Sequence, residues 1–396
     1  MTHPVPGRVL PVLVLAQFAG TSLWFAINAV MPDLQQVFGW PATAVGTLTS
    51  ALQAGFILGT LAFALLAVAD RHSARAVFLL CSLAGAACTV GAWAMVSSFH
   101  ALLVWRFATG FFLAGIYPVG MKIASQWFPK GLGLALGWLI GALVLGSASP
   151  HALRALGDSL PWHGVMLGVA ALAACGGLML FLSLPEPPGR KAASTRPAQL
   201  QWRAAFVLWT DTRVRSSVLG YFGHMWELYT LWVLMPLVLA TRLDGQTLSM
   251  AAFAVLGAGA VGCVGGGYLA QRLGSARVAA GQLGLSGLCC IMAPWLMDAP
   301  ALVFGLWLLV WGVTVSGDSP QLSTLTARNA PPEYVGSLLT LSNCLGFTLS
   351  VVSIELFVGL SKHLPLTSVL PWLGLGPALG VLALRPLLLA ERARQG

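Results

Sequence analysis

Six ionisable side chains lie inside long apolar stretches of this sequence, where water cannot solvate a charge. They are Arg106, Lys122, His224, Glu227, Asp318 and Glu355. A charged group in hydrocarbon is costly, so such residues usually line a path for ions or polar solutes. We therefore take these side chains as the candidates for chemistry.

His224 and Glu227 are three residues apart, a spacing that puts both on one face of a helix. Removal from water disfavours the charged form of a carboxyl group, and histidine changes its charge close to neutral pH. Both residues are thus predicted to bind and release protons. The alternative is that Glu227 makes a hydrogen bond between helices, for example to a tyrosine hydroxyl.

Asp318 lies two residues before Pro320, at a position where a helix is expected to break. Backbone groups freed by a break inside a membrane can bind ions or substrate. Asp318 is therefore predicted as a third proton-coupling residue. The alternative is an ion pair between Asp318 and Arg106 or Lys122.

Arg106 and Lys122 are the two cations of the set. A planar guanidinium matches carboxylates and phosphates, whereas a long lysine side chain can extend towards water. Both are predicted substrate ligands, which favours an anionic or zwitterionic solute. Other polar or aromatic residues are predicted in the same site, although single residues of this kind often only join helices. They are Trp24, Asn28, Tyr117, Tyr221, Trp226 and Asn343.

The rest of the sequence is too poor in charge for a water-soluble globule. Charged types make up 8% of the 396 residues and hydrophobic types 57%, whereas a typical soluble domain has about 25% charged residues. Because a bilayer core takes roughly 20 apolar residues per helix, we predict an all-α membrane protein with twelve transmembrane helices. Their approximate ranges are 10–31, 44–67, 76–97, 101–127, 131–150, 162–184, 216–239, 248–269, 276–297, 300–326, 335–358 and 366–387.

Basic residues are distributed unevenly over the loops between these helices. With a cytoplasmic N-terminus, only Arg154, Arg242 and Lys362 lie in loops on the opposite side. Since short cytoplasmic loops are rich in Lys and Arg, both termini are predicted to be cytoplasmic, in a multi-pass protein of the inner membrane. Topology explains the formal net charge of +9, and nucleic acid is excluded as a partner.

Three short stretches recur at one offset along the chain. Residues 31–32, 66–75 and 115–118 are similar to residues 235–236, 267–277 and 317–320, in the same order. Such a repeat indicates a duplicated architecture. A segment at 185–215, rich in Pro, Arg and Ala, is predicted to be a cytoplasmic linker. It separates a six-helix bundle at 1–184 from a second bundle at 216–396.

These motifs resemble those of the major facilitator superfamily. Its loop pattern Gly-x-x-x-Asp-Arg-x-Gly-Arg-Arg between the second and third helices is matched by Asp70, Arg71 and Arg75. Its fourth-helix pattern is matched by Arg106 and Gly110. The resemblance implies two pseudo-symmetric six-helix bundles with alternating access to a central site. It also implies that helices 1, 4, 7 and 10 line the pathway and that helices 3, 6, 9 and 12 face lipid.

In that family, charged loop residues hold the two halves together on the cytoplasmic side. The resemblance places this gate at Asp70, Arg71, Arg75, Arg272 and Arg277. The second copy of the loop has Gln271 at the acidic position. The alternative is that these basic residues only set the topology.

Enzyme classes find little support in the sequence. The stretch Gly284-Leu-Ser286-Gly287 matches a serine motif of membrane proteases, but helices 8 to 12 contain no histidine to activate the serine. Zinc-protease and phosphate-loop motifs are absent, and the seven cysteines lack the spacing of a metal site or disulfide framework. We predict no catalytic residue, no metal and no cofactor.

The sequence thus predicts a secondary transporter, monomeric and embedded in the lipid bilayer. It is expected to move a small anionic or zwitterionic solute by alternating access, coupled to protons. The first alternative is a proton-driven efflux pump for lipophilic or cationic compounds, because the two acids and the abundant aromatic side chains suit such substrates. The second is a membrane sensor that keeps the transporter fold but moves no solute.

Overall fold

The protein is helical throughout the part of the chain that is described. The computed structural model describes residues 5–128, 131–156, 161–186 and 200–393, and every regular element in these ranges is a helix. The chain divides into two compact units, Met1–Leu200 and Gln201–Gly396, which we name unit 1 and unit 2.

Short loops connect the helices of each unit. Those of unit 1 are α1 (Val9–Thr21), α2 (Ala26–Phe38), α3 (Ala44–Leu65), α4 (Val68–Arg71), α5 (Ala74–Ala94), α6 (Phe99–Leu113), α7 (Tyr117–Trp127), α8 (Leu132–Arg154) and α9 (Trp162–Ser183). Those of unit 2 are α10 (Arg203–Thr210), α11 (Thr212–Ala240), α12 (Gly245–Gly257), α13 (Gly259–Leu273), α14 (Ser275–Leu296), α15 (Ala301–Gly317), α16 (Ser319–Asn329), α17 (Val335–Leu360), α18 (Leu366–Val369), α19 (Leu375–Ala383) and α20 (Arg385–Arg392).

Eleven helical segments of the described chain are long and apolar enough to cross a membrane. The twelfth is α11, which is 29 residues long but carries the polar side chains of His224 and Glu227. Each of the twelve overlaps one predicted helix, so the twelve-helix architecture is confirmed. We number them spans 1 to 12 in chain order. Five of them contain two α-helices each: span 1 (α1–α2), span 4 (α6–α7), span 8 (α12–α13), span 10 (α15–α16) and span 12 (α18–α19).

Span 1 is longer than the sequence indicated, because Pro32 does not end it. Pro32 lies inside α2, which continues to Phe38. Proline loses one backbone hydrogen bond, but its fixed φ angle is compatible with a helix. The helix ends instead at Gly39, whose φ angle of 67° is easily adopted by glycine.

The interruptions of spans 1, 4 and 10 have different causes. Span 10 breaks at Asp318, as Pro320 predicted, and span 4 breaks just before Pro118. A proline is readily accommodated in the first turn of a new helix, where its missing N–H is not needed. Span 1 breaks between Thr21 and Ala26 without a proline, so its cause must lie in tertiary contacts.

The duplication predicted from short motifs extends to the packing inside each unit. In unit 1, α3 and α6 approach so closely that a Cβ on Gly110 would lie 1.8 Å from the carbonyl oxygen of Leu52. In unit 2, a Cβ on Gly312 would lie 2.0 Å from the carbonyl oxygen of Val255. The two contacts occupy equivalent positions in the repeat, so spans 2 and 4 pack within unit 1 as spans 8 and 10 pack within unit 2.

The segment predicted as a linker differs from expectation in its second half. Residues 187–199 lie outside the described residues, but α10 and the first turn of α11 fall within the predicted linker range. α10 packs against α11 and α17. It buries Ala204 and Leu208. Two buried residues are too few for the helix to be recognised from the sequence of a polar segment.

Candidate functional site

The break in span 10 places Asp318 against His224 of span 7. The His224 Nδ1 lies 2.8 Å from the Asp318 Oδ1, and the two side chains are 1% and 0% exposed. Among the described residues, none of the four polar side-chain atoms of the pair has a hydrogen-bond partner. Because buried polar atoms without partners are destabilising, this pair retains capacity to bind a proton or a ligand atom.

Asp318 also stands immediately before the first turn of α16. Its main-chain carbonyl accepts hydrogen bonds from the backbone N–H groups of Gln321 and Leu322, both at 3.0 Å. Among the described residues, the Asp318 side chain makes no capping hydrogen bond to α16, and its close partner is the His224 imidazole.

Glu227, one turn further along α11, is held by donors from two other spans. Its Oε1 accepts hydrogen bonds from the Ser286 hydroxyl, from Trp311 Nε1 at 2.6 Å and from Cys290 Sγ at 3.2 Å. The Oε2 atom has no hydrogen-bond partner in the described part of the chain. Glu227 thereby joins span 7 to spans 9 and 10 inside unit 2.

The partners of Glu227 were not found by reasoning from the sequence. The alternative interpretation of Glu227 expected a tyrosine, whereas the donors are a serine, a cysteine and a tryptophan. Ser286 belongs to the stretch read as a weak protease motif, and its hydroxyl is used in this hydrogen bond. A signal existed, since Ser286 and Cys290 are four residues apart and share a helix face. Span 9 therefore turns a polar face to the interior of unit 2, while Leu288 and Trp295 are exposed on its outer side.

Two predicted substrate residues of unit 2 lie together beside His224. The Tyr221 hydroxyl donates a hydrogen bond to Asn343 Oδ1 at 2.7 Å, and the Tyr221 ring lies 5.9 Å from the His224 ring. Trp226 points elsewhere: its Nε1 donates to the Trp372 carbonyl at 3.5 Å. The geometry thus groups Tyr221 and Asn343 with the His224–Asp318 pair, and separates Trp226 from it.

Arg106 is buried in unit 1 and bonded to the broken part of span 1. Its two terminal nitrogens donate to the main-chain carbonyls of Leu23, at 3.1 Å, and Trp24, at 2.6 Å. These carbonyls are left without helical partners by the break, so the guanidinium supplies the missing donors. Within the described residues of unit 1, no carboxylate pairs with Arg106.

The other predicted substrate residues of unit 1 lie near the same break. Trp24 packs on Phe56 with ring centroids 4.9 Å apart, and Phe56 stacks on Tyr117 at 6.4 Å. Asn28 donates a hydrogen bond from Nδ2 to the Thr49 hydroxyl at 2.9 Å, which joins span 1 to span 2. Trp24 and Tyr117 thus form one aromatic layer with Phe56, while Asn28 has an interhelical role.

Lys122 lies far from Arg106, near the end of span 4. Its Nζ donates to the Ala69 carbonyl at 2.7 Å and forms an ion pair with Asp70. Both side chains of this pair are partly exposed. The helical rise alone puts Lys122 and Arg106 about 24 Å apart along span 4. Asp70, predicted as a gate residue, has Lys122 as its partner.

The remaining gate residues make contacts within their own units. Arg75 binds Glu186 through Nε at 3.3 Å and a terminal nitrogen at 3.1 Å. In unit 2, Glu391 accepts hydrogen bonds from the backbone N–H groups of Ala276, at 2.9 Å, and Arg277, at 3.2 Å. Arg71 and Arg272 are exposed.

Glu186 and Glu391 are functional candidates that the sequence reasoning missed. Each follows the last span of its unit and reaches back to the start of the third span of that unit. A glutamate at matching positions after span 6 and after span 12 was the available signal.

Comparison with known proteins agrees with this architecture. The family model described as Major Facilitator Superfamily matches residues 13–354. The inner membrane transport protein YnfM of Escherichia coli is 25% identical over 207 residues, which are 50% of this chain and 48% of YnfM. The chain therefore spans about half the length of that relative.

A longer match is found with a chloramphenicol resistance protein of Streptomyces lividans. It is 29% identical over 274 residues, 68% of this chain and 67% of that protein. Among solved structures, the human organic anion transporter MFSD10 superposes with a TM-score of 0.74 at 18% identity, covering 96% of this chain and 100% of that one. Since the family model covers most of the sequence and the solved structure shares the fold, the chain belongs to the Major Facilitator Superfamily of membrane transporters.

Proposed function

We propose that this protein is a secondary active transporter that couples movement of a small solute to protons by alternating access. The observation that carries the proposal is the buried His224–Asp318 pair at the break of span 10. An acid and an imidazole 2.8 Å apart can share or exchange one proton. Ionisable groups at such depth are expensive to keep in a membrane protein unless they serve transport.

The break in span 10 couples protonation of Asp318 to the orientation of the two helices on either side of it. In the proposed cycle, the ionised Asp318 carboxylate is held by the His224 imidazole at 2.8 Å. A proton arriving at Asp318 weakens this interaction, and the two parts of span 10 are then free to change their relative orientation. Tyr221 and Asn343, bonded to each other beside His224, are the proposed contacts through which a solute senses this change.

The anionic or zwitterionic substrate proposed from the sequence now depends on Arg106 alone. Lys122 is paired with Asp70, whereas one nitrogen of Arg106, Nε, has no hydrogen-bond partner among the described residues. A substrate carboxylate would compete with the Leu23 and Trp24 carbonyls for the guanidinium. Binding of an anion at this position would therefore alter the break in span 1.

Export of a lipophilic or cationic compound is the second candidate. It is favoured by the chloramphenicol resistance relative, which aligns with about two thirds of each chain. It also agrees with the bonding of both cations within unit 1, Arg106 to two main-chain carbonyls and Lys122 to Asp70. Under either candidate function, we propose that the protein is a monomer in the inner membrane with both termini in the cytoplasm.

Purified protein in proteoliposomes tests the coupling. Solute accumulation driven by an imposed pH gradient should be lost in Asp318→Asn and His224→Gln, while solute exchange without a gradient persists. Asp244→Asn is the matched control, because Asp244 is an exposed acid at the start of α12. Wild-type accumulation in Asp318→Asn would rule out the proposed coupling site.

The same vesicles distinguish the two substrate classes. Arg106→Lys keeps the charge but loses the planar fork that bonds both carbonyls and a carboxylate. If the solute is an organic anion, its flux should fall in this variant while flux of a neutral or cationic test compound is retained. Equal loss for all compounds would show that Arg106 serves only the fold.

A further inference from the structure

The short helix α10 presents an exposed aromatic face in unit 2. Trp202, Phe206 and Trp209 are 60%, 73% and 52% exposed. Their spacing of four and three residues puts them on one side of the helix. The opposite side carries Ala204 and Leu208, which are fully buried. Two indoles and a phenyl ring held in this way form a larger apolar surface than scattered exposed residues would.

α10 is fixed to the ends of two spans. The backbone N–H of Gln201 donates to the Ser337 hydroxyl at 2.9 Å, and its side chain donates to the Glu333 carbonyl at 3.2 Å. At the other end of α10, a terminal nitrogen of Arg215 donates to the Trp209 carbonyl at 3.0 Å. Span 7 begins immediately after α10, and span 11 begins at the residues that hold Gln201. The aromatic face therefore lies where these two spans enter the bilayer.

The charges around this face are positive. Arg203 and Arg213 are exposed, and Arg215 follows at the start of α11. The one acid between residues 200 and 215 is Asp211, whose carboxylate accepts the backbone N–H groups of Arg213 and Val214 at 2.8 and 3.0 Å. Asp211 thus serves as the cap of α11, and Arg203 and Arg213 remain available to an anionic partner.

We propose that α10 lies in the membrane interface and binds anionic phospholipid headgroups. Indole rings prefer the headgroup level of a bilayer, and arginines beside them are attracted to anionic lipids. The position at the ends of two spans selects lipid over a soluble protein, because the headgroup layer is at that level. Since one residue separates α10 from α11, a lipid that holds α10 also holds the start of the helix that carries His224.

Spin labelling tests the depth of the aromatic face. Phe206→Cys is made in a Cys175→Ser background, because the other six cysteines are buried, and the full chain is placed in nanodiscs containing phosphatidylglycerol. The label should collide with oxygen and be protected from a water-soluble nickel complex. A label at Gln271→Cys, an exposed residue at the end of α13, should be open to nickel. Nickel access at position 206, or dipolar broadening from a second copy, would overturn the proposal.

Native mass spectrometry tests the charge requirement. Each arginine near an anionic surface contributes about fivefold in affinity, so Arg203→Gln with Arg213→Gln should bind phosphatidylglycerol at least about fivefold more weakly. Arg8→Gln removes an exposed cation of unit 1 and should bind as the wild type does. An unchanged affinity in the double variant, or an equal loss in Arg8→Gln, would contradict a headgroup site on α10.

Discussion

The two buried acids of unit 2 differ in how completely they are bonded. Three donors converge on one oxygen of Glu227, from Ser286, Cys290 and Trp311. Asp318 has one close partner in the described chain, the His224 imidazole. A group with many partners resists change, whereas a group with one partner changes state when that partner moves. We therefore expect Asp318 to respond to protons and Glu227 to hold spans 7, 9 and 10 together.

Substitutions at Glu227 separate these roles. Glu227→Gln keeps an acceptor oxygen for Trp311 and Ser286, so pH-driven accumulation should be retained. Glu227→Ala leaves the donors without a partner, and each lost interhelical hydrogen bond should lower stability by about 0.6–1.7 kcal/mol. Thermal unfolding in detergent measures the loss. Loss of accumulation in a well-folded Glu227→Gln protein would instead make Glu227 a proton carrier.

The donors of Glu227 provide a control for that experiment. Ser286→Ala removes one donor to Glu227 and should lower the melting temperature. Ser249→Ala removes a hydroxyl that, among the described residues, donates to the Gly245 carbonyl of its own helix alone. This variant should leave the melting temperature nearly unchanged. Equal melting temperatures for the two variants would mean that the Ser286 bond contributes little.

At the scale of helices, local sequence predicted some interruptions and not others. Pro320 predicted the break of span 10 because proline acts on its own helix. The break of span 1 could not be predicted, since its freed carbonyls are satisfied by Arg106 from span 4. The same limit explains Lys122: its position within an apolar stretch suggested a substrate ligand, but its partner Asp70 comes from another helix. Contacts between helices of a bundle cannot be predicted from the sequence of one helix alone.

Close helix crossings give the prediction at this scale. Gly312→Ala would place a Cβ 2.0 Å from the Val255 carbonyl oxygen, so spans 8 and 10 must separate. Such overpacking should cost about 1–3 kcal/mol, seen as a lower melting temperature. Gly305→Ala is the matched control on the same helix, because a Cβ there meets nothing within 4 Å. If both variants melt alike, the crossing tolerates a methyl group and is looser than described.

At the scale of the whole chain, composition and repeats were sufficient to predict the number and order of the spans. Apolar length is a property of each segment alone, so twelve predicted helices overlap twelve observed ones. The contacts at the ends of the bundles were harder to predict, because Glu186 and Glu391 bind partners more than 100 residues away in the sequence. α10 was missed because its buried face consists of two residues.

Orientation in the membrane is the prediction that belongs to the whole molecule. If lysine and arginine in short loops set the topology, the loop between spans 7 and 8, which carries Arg242, faces away from the cytoplasm. Loops carrying Arg71, Arg75 and Arg272 face the cytoplasm. In the Cys175→Ser background, an impermeant maleimide added to intact cells should label Thr241→Cys and should not label His72→Cys or Gln271→Cys. All three positions are exposed, so all should react once the cells are lysed. The reverse labelling pattern in intact cells would place both termini outside. It would show that the lysine and arginine distribution does not determine the topology.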